Sequence, residues 1–369
     1  MEHQESKRVL VFCLSGLGDV IMASPAIAAL AAAPQQFHLT LLTMFGSVAE
    51  YLREQRFTED VRFIDFLRGP KPQIFRELWK LRRERFDVSI VPYPHNRIEY
   101  NGVACAIGAL QRVGFRYQRQ RHMNLPGLNH IVLNEDPTLH VVEENLRWAS
   151  LLTGTPAAEL PADLWFAVSP ESEKAAKDFL SSHGLDNATP LIGLHPSCNP
   201  MKNQQRRCWP PTEFARFMES MVERQPSTRF VLFEGPLDEQ VSSAVHKKPG
   251  CVAVARRLPI GAVAGVIRRC QLFVGNDSGL LHVASACKVP CVAVFGPTNP
   301  AWVSPWRTPH IIVSRQLPCS PCFKYSSRPL SCPAELDYAC VRELSLEAVE
   351  TAARQLLQSS HATTINAQV

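Results

Sequence analysis

The run Arg8-Val-Leu-Val-Phe-Cys-Leu14 is almost wholly apolar and does not alternate, which predicts a strand buried on both faces, as in a parallel sheet. Ser15-Gly-Leu-Gly-Asp19 turns from it into a helical pattern with Val20, Ser24, Ile27, Ala28 and Ala31 on one face. Pro25 predicts a kink in that helix or a restart capped by Ser24. Strand-like runs recur at His38 to Thr43, Val61 to Phe66 and Asp87 to Val91, separated by helical periodicity such as Gln73 to Arg85. The order β, α, β, α points to a doubly wound parallel sheet. A helical stretch from His140 to Thr153 follows, and then Gly154, Pro156, Pro161 and Pro170 punctuate a region of weak periodicity. A linker is expected at about residues 155 to 185.

A second set of the same kind comprises Leu191 to Leu194, Phe214 to Glu223, Arg229 to Phe233, Ile260 to Arg268, Leu272 to Gly275, a helix from Leu280, and Cys291 to Phe295. Two such sets predict an α/β protein of two facing Rossmann-like lobes, with ligand in the cleft at the carboxyl ends of the strands. The expected domains are residues 1–165 and 186–355.

Composition agrees with two ordinary cores. The chain has 369 residues, 46% of them hydrophobic and 20% charged, which is too apolar and too weakly charged for a disordered chain. No apolar run reaches the roughly 18 to 20 residues of a spanning helix. Met1 to Arg8 carries Glu2, Glu5, Lys7 and Arg8 without a secretory apolar core, so a cytoplasmic location is expected. The net charge is +5, with local clusters at Lys80, Arg82, Arg83 and Arg85 and at Arg116, Arg119 and Arg121. Such patches are solvated faces or contacts for an anionic partner or lipid surface. Neither an Arg-rich recognition helix nor an aromatic-basic RNA motif is present, which argues against nucleic acid.

Four constellations could carry chemistry. Gly16 and Gly18 let the chain turn closely between strand and helix, and Asp19 stands at the helix mouth, as a cap or as a functional carboxylate. The third glycine of a dinucleotide fingerprint is missing, since Ile21 occupies that position. Phe273-Val-Gly-Asn-Asp-Ser-Gly-Leu-Leu-His282 is again strand, turn and helix. Asp277 or Ser278 can cap it, Gly279 opens the helix, and its unpaired amides suit a phosphate. His282 lies about one turn further in, either as a phosphate contact or as a helix histidine bonded to neighbours.

The third constellation is His195-Pro-Ser197 followed by Arg207-Cys-Trp-Pro210, where a cation ahead of a helix could neutralise a departing diphosphate, Lys202 and Arg206 competing with Arg207 for that role. The fourth is Cys319, Cys322, Cys332 and Cys340, whose spacing permits a structural zinc or an iron–sulfur cluster, with unligated or transiently oxidised thiols as the alternative, while a reducing compartment disfavours stable disulfides. The other eight cysteines, Cys13, Cys287 and Cys291 among them, read as small core residues.

Gly18-Asp-Val with Pro25, His195-Pro-Ser, Arg207 to Pro210, Gly275-Asn-Asp-Ser-Gly with His282, and Phe295-Gly-Pro-Thr-Asn-Pro300 together resemble glycosyltransferase family 9, the heptosyltransferase family. The late cysteine set resembles many bacterial members too. The resemblance implies a GT-B fold with the acceptor mainly on the first domain and the nucleotide mainly on the second. It implies inverting, metal-independent transfer of a heptose or related sugar from an ADP-sugar to a lipopolysaccharide core or similar lipid-linked saccharide, with peripheral contact at the inner membrane. By position Asp19 matches the family's general base, and Asp277, Ser278, Gly279 and His282 match its donor-phosphate loop, while Ser197 stands in the His-Pro-Ser motif. Arg207 departs from the pattern, because the family commonly has lysine two residues before the tryptophan. A GT-B transferase using a UDP- or GDP-sugar, an epimerase, and a non-catalytic nucleotide-sugar-binding member are the alternatives.

Overall fold

The computed structural model describes residues 6–361 except 34, 96, 119–123, 126, 199–200, 236–251 and 325–328, and leaves out the side chains at 202, 360 and 361. Of the basic clusters expected from the sequence, Arg119 and Arg121 therefore lie outside the described residues, as does the Lys202 side chain. The chain divides into two compact units, the first running to Ala167 and the second beginning at Val168.

The first unit runs β1 (Lys7–Cys13), α1 (Leu17–Ala31), β2 (Phe37–Thr43), α2 (Gly46–Gln55), β3 (Val61–Phe63), α3 (Lys71–Arg83), β4 (Val88–Ile90), α4 (Ile98–Ile107), β5 (Gln111–Arg116), β6 (Ile131–Asn134) and α5 (Val141–Thr153). Its strands form one parallel sheet in the order β3-β2-β1-β4-β5-β6. Val9 to Cys13 are buried on both faces, as their unbroken apolar run requires. Leu10, Phe12 and Leu14 pack with Leu81, Phe86, Tyr100 and Ala104 beneath α3 and α4.

The second unit contains α6 (Pro170–Ser182), β7 (Leu191–His195), α7 (Pro211–Arg224), β8 (Arg229–Glu234), β9 (Val252–Arg256), α8 (Ile260–Ile267), β10 (Leu272–Asn276), α9 (Gly279–Ala286), β11 (Cys291–Phe295), α10 (Pro300–Val303), β12 (His310–Ser314), α11 (Ala339–Arg342) and α12 (Leu346–His361). Its parallel order is β12-β11-β10-β7-β8-β9. Counted from the first strand of each sheet, both units share the Rossmann order third, second, first, fourth, fifth, sixth. Phe214, Phe217, Met218 and Met221 make a helical stripe that seats α7 on this sheet.

Three local outcomes differ from expectation. The helix α1 runs uninterrupted through Pro25, because Ile21 to Ile27 are all buried and packing holds the segment together. Ser24 accordingly caps nothing and accepts a hydrogen bond from the Trp165 amide at 2.9 Å. The weakly periodic stretch expected as linker holds α6, in which Pro170 is the first residue and Ser169 the cap, so this proline starts a helix instead of interrupting one. The strands β5, β6, β9 and β12 are additional to the expected ones: β5 has no apolar run, and the runs Ile131 to Leu133, Val252 to Ala255 and Ile311 to Val313 are short. The last three lie at sheet edges, where fewer residues are buried and the signal weakens. Among the described residues no helix is long and apolar enough to cross a membrane.

Candidate functional site

In open sheets of this order, ligands bind beyond the carboxyl ends of the strands where the order reverses, which here means after β1 and β4 in the first unit and after β7 and β10 in the second. Both places hold residues expected from the sequence. Beyond β1, Ser15 leads to Gly16, the position before α1, with φ −64° and nothing within 4 Å of where a Cβ would stand. Neither backbone strain nor crowding within the protein therefore demands glycine at position 16. Gly18 is buried in the first turn, and Asp19, half-buried in the same turn, follows it.

Across the reversal point the Ser15 hydroxyl is hydrogen-bonded to Nε2 of His95, a buried residue that follows β4. The His95 ring packs edge-on against Tyr100 at 5.9 Å, and the Tyr100 hydroxyl donates to the Leu14 carbonyl at 2.9 Å, so α4 braces the loop after β1. Burial, with the Arg97 cation adding to it, pushes the His95 imidazole down to about 3, so the ring is neutral at physiological pH. Burial raises the Tyr100 phenol, and the Asp19 carboxylate contributes to the rise, which places the two groups within electrostatic reach.

In the second unit His195 ends β7 and its Nδ1 is 2.8 Å from the Ser278 hydroxyl after β10. Ser278 is the residue before α9, yet its side chain makes no capping bond to that helix. The expectation that Asp277 or Ser278 caps the helix through its side chain is thus corrected: the Ser278 hydroxyl is engaged by His195 and the Asp277 carboxylate by Arg207. Gly275 is required at the end of β10, since a Cβ there would come within 2.9 Å of the Phe273 ring and 3.4 Å of the His195 carbonyl. His282 is buried one turn into α9, its Nδ1 has no hydrogen-bond partner among the described residues, and burial pushes its imidazole down to about 4.

Two sequence-distant motifs meet through Asn276. Its side chain donates to the Pro196 carbonyl at 2.8 Å and accepts from the Trp209 amide at 2.9 Å, while Trp209, fully buried, donates its indole N–H to the Leu344 carbonyl. Trp209 so fixed holds Arg207, two residues earlier, where its guanidinium donates to Asp277 at 2.8 Å and to the Thr298 hydroxyl at 3.3 Å and stacks over Phe323. Arg207 rather than Arg206 occupies this place, since the Arg206 guanidinium lies over Tyr338. Asn299, next to Thr298, caps α10 by accepting from the Ala301 amide. Ser197 is buried beside these residues in sequence, its hydroxyl bonded to the Cys198 carbonyl. The Cys208 thiol lies 3.1 Å from Cys198, and that hydrogen bond, with the Arg207 cation, holds Cys198 below its ordinary value against the opposing effect of burial.

The sequence profile of Glycosyltransferase family 9 (heptosyltransferase) matches residues 75–331. The chain belongs to glycosyltransferase family 9. Over 183 residues it is 38% identical to a lipooligosaccharide heptosyltransferase 2 of Campylobacter jejuni, a match covering 48% of this chain and 54% of that relative. A second Campylobacter jejuni protein of that name is 22% identical over 93% of this chain and 96% of its own length. Among solved structures, ADP-heptose lps heptosyltransferase II of E. coli has the same fold, with a TM-score of 0.69 at 19% identity, covering 96% of this chain and 99% of that one. The fold class is therefore GT-B, the two-Rossmann architecture of these transferases.

The four late cysteines of this family member line one small cavity together with Pro297, Leu336 and Tyr338. Among the described residues no three His, Cys, Asp or Glu side chains converge as a metal-holding group. The backbone amide of Tyr338, helped by those of Leu336, Ala334 and Glu335, holds the Cys332 thiol below its ordinary value, whereas burial and the other three cysteines push Cys340 up to about 11.

His95 and the structural duty of Asn276 escaped the sequence reading. The signal for His95 was its place in Pro92-Tyr-Pro-His95, directly after a strand that proves to flank the reversal point.

Proposed function

We propose that this transferase moves a heptose or related sugar from an ADP-sugar to a lipopolysaccharide core or similar lipid-linked saccharide, with inversion at the anomeric carbon and without a catalytic metal. The observation that carries this reading is the pairing of Arg207 with the head of α9, whose first amides receive no side-chain cap from Ser278. A guanidinium and a helix N-terminus in one unit supply the positive potential that a departing diphosphate needs. Asp277 acts through Arg207, orienting the guanidinium, and Ser278, Gly279 and His282 frame the phosphate position; Ser197 lies on the same loop system.

Asp19 serves as the general base, taking the proton of the acceptor hydroxyl as that oxygen forms its bond to the anomeric carbon and the bond to the diphosphate breaks. The match of Asp19 by position to the family's general base, and its half-buried place in the first turn of α1 just beyond β1, support this assignment. A cytoplasmic setting with peripheral contact at the inner leaflet belongs to the same reading.

The cysteine cavity is proposed to hold a structural zinc or iron–sulfur cluster. Four cysteines line one cavity, and cysteine is a ligand type that both kinds of centre use, although the side chains would have to draw closer to share one metal. Metal content of the purified protein tests this, and a metal-free chain of unchanged stability would refute it.

Calorimetric titration with ADP, UDP, GDP and NAD, without added metal, tests the donor. Binding of ADP alone is expected. Preference for UDP or GDP would replace the donor, and turnover of a nucleotide sugar without acceptor would make the protein an epimerase.

A further inference from the structure

We infer that the outer face of α3 is a docking surface for an anionic lipid bilayer, with Phe75 and Trp79 entering the interface and Lys71, Arg76, Lys80 and Arg83 meeting the headgroups. The helix is fixed by its other side, where Leu81 is buried and Ile74 and Leu78 pack against the core of the first unit. Phe75 and Trp79, one turn apart, face away from that core and are 69% and 57% exposed. Leu67 and Phe63, shortly before the helix, are exposed as well, so four of the eleven large exposed hydrophobics among the described residues fall within residues 63–79. Scattered exposed apolar residues are ordinary; a concentration of them marks a contact surface.

Charge identifies the partner. Residues 66–85 contain seven basic and two acidic residues, a net +5 equal to that of the whole chain, so the remaining sequence is balanced. Both acidic residues are tied to basic neighbours, Glu77 to Lys80 and Arg76, and Glu84 to Arg8 and Arg62. The Arg83 guanidinium lies 4.6 Å over the Trp79 ring, which sets a cation and an amphipathic aromatic at one level, the pairing suited to the headgroup boundary. Arg82, by contrast, points back and donates to the Ala106 carbonyl at 2.7 Å, so the basic contact centres on the outer row instead of on the run Arg82, Arg83 and Arg85. Interleaved aromatic and basic side chains on one helix face fit an interfacial helix lying in the plane of an anionic membrane.

The purpose of this surface rests on the lipid-linked acceptor proposed above, but plain lipid vesicles contain no saccharide, so docking and transfer can fail separately. The test sediments the full-length protein with vesicles of phosphatidylglycerol and phosphatidylethanolamine, and with phosphatidylcholine alone. Selective binding to the anionic vesicles is expected. Each basic residue near the surface contributes about fivefold, so the triple variant Arg76→Glu, Lys80→Glu, Arg83→Glu should lose roughly a hundredfold or more. The double variant Phe75→Ser, Trp79→Ser should lose about tenfold or more and should also lose the residual binding that the wild type keeps at raised salt. A circular dichroism spectrum and a thermal unfolding profile like those of the wild type show that both variants are folded. Equal binding to neutral vesicles, no binding to anionic ones, or α3 variants that sediment like the wild type would overturn the inference.

Discussion

In the first unit Ser15 follows β1 and meets His95 after β4; in the second His195 ends β7 and meets Ser278 after β10. The two sheets thus place the same pair at the same topological position with the partners exchanged. Each bridge ties together the two loops that flank the reversal of strand order, where the sheet leaves a gap that only side chains can close. Beyond the bridge the units diverge. The first has a carboxylate, Asp19, in the opening turn of its helix; the second has a guanidinium, Arg207, beside the head of its helix. One backbone plan therefore carries different charged groups beyond the same strands, a carboxylate in the helix turn of the first unit and a guanidinium paired with Asp277 in the second, and the proposed roles of base and phosphate contact rest on that difference.

The sharpest way to break this comparison is Asp19→Asn, which keeps the shape and removes the base. Transfer should fall by about 10²- to 10⁴-fold while ADP affinity stays near that of the wild type. Turnover within a few-fold of normal would leave Asp19 a helix residue only. Arg207→Ala should cost roughly 10²- to 10³-fold in turnover and weaken ADP binding as well, and Arg207→Lys should recover part of both, since charge remains but the planar guanidinium whose Nη1 reaches both Asp277 and Thr298 does not. A smaller and more discriminating effect is expected from the bridges. Ser278→Ala should raise the dissociation constant for ADP by about fivefold to tenfold, whereas Ser15→Ala should leave ADP untouched and raise KM for the acceptor by a similar factor. Equal effects on both ligands from either variant would mean that the two bridges are not specialised.

The smallest effect concerns pH. His95 and His282 are pushed by burial to about 3 and about 4, from an ordinary value of 6.5. The unfolded chain therefore binds more protons than the folded one below about 6.5, so their contribution to stability is complete above that value and declines as pH falls towards 4 and then 3. Thermal unfolding followed from pH 8 to pH 4 should show a falling Tm, and His282→Gln should flatten the curve. An unaltered slope would show that His282 does not titrate in this way.

Part of this arrangement was legible in the chain. The runs that became β1, β7, β10 and β11 are apolar because each is buried on both faces, and that requirement is local enough to read. The candidate loops followed from the same logic, as polar and glycine-rich turns between a buried strand and a helix. The edge strands β6, β9 and β12 were not legible, because their apolar runs are only three or four residues long and so short a run does not by itself mark a strand, and α6 was hidden by a proline that begins a helix as readily as it ends one.

What the sequence by itself determined was the succession of buried strands and turns, and with it the two-fold Rossmann plan and the glycosyltransferase family 9 motifs. Which side chains meet was decided only by tertiary structure. Asn276 joins Pro196 to Trp209 across 80 and 67 positions of sequence, and Arg207 reaches Asp277 across 70. Separations of that size leave no periodicity to detect, since a hydrogen bond depends on the position of two atoms in space and places no constraint on the residues between them. The same holds for His95, an ordinary histidine in the chain that becomes half of a bridge once β4 is laid beside β1.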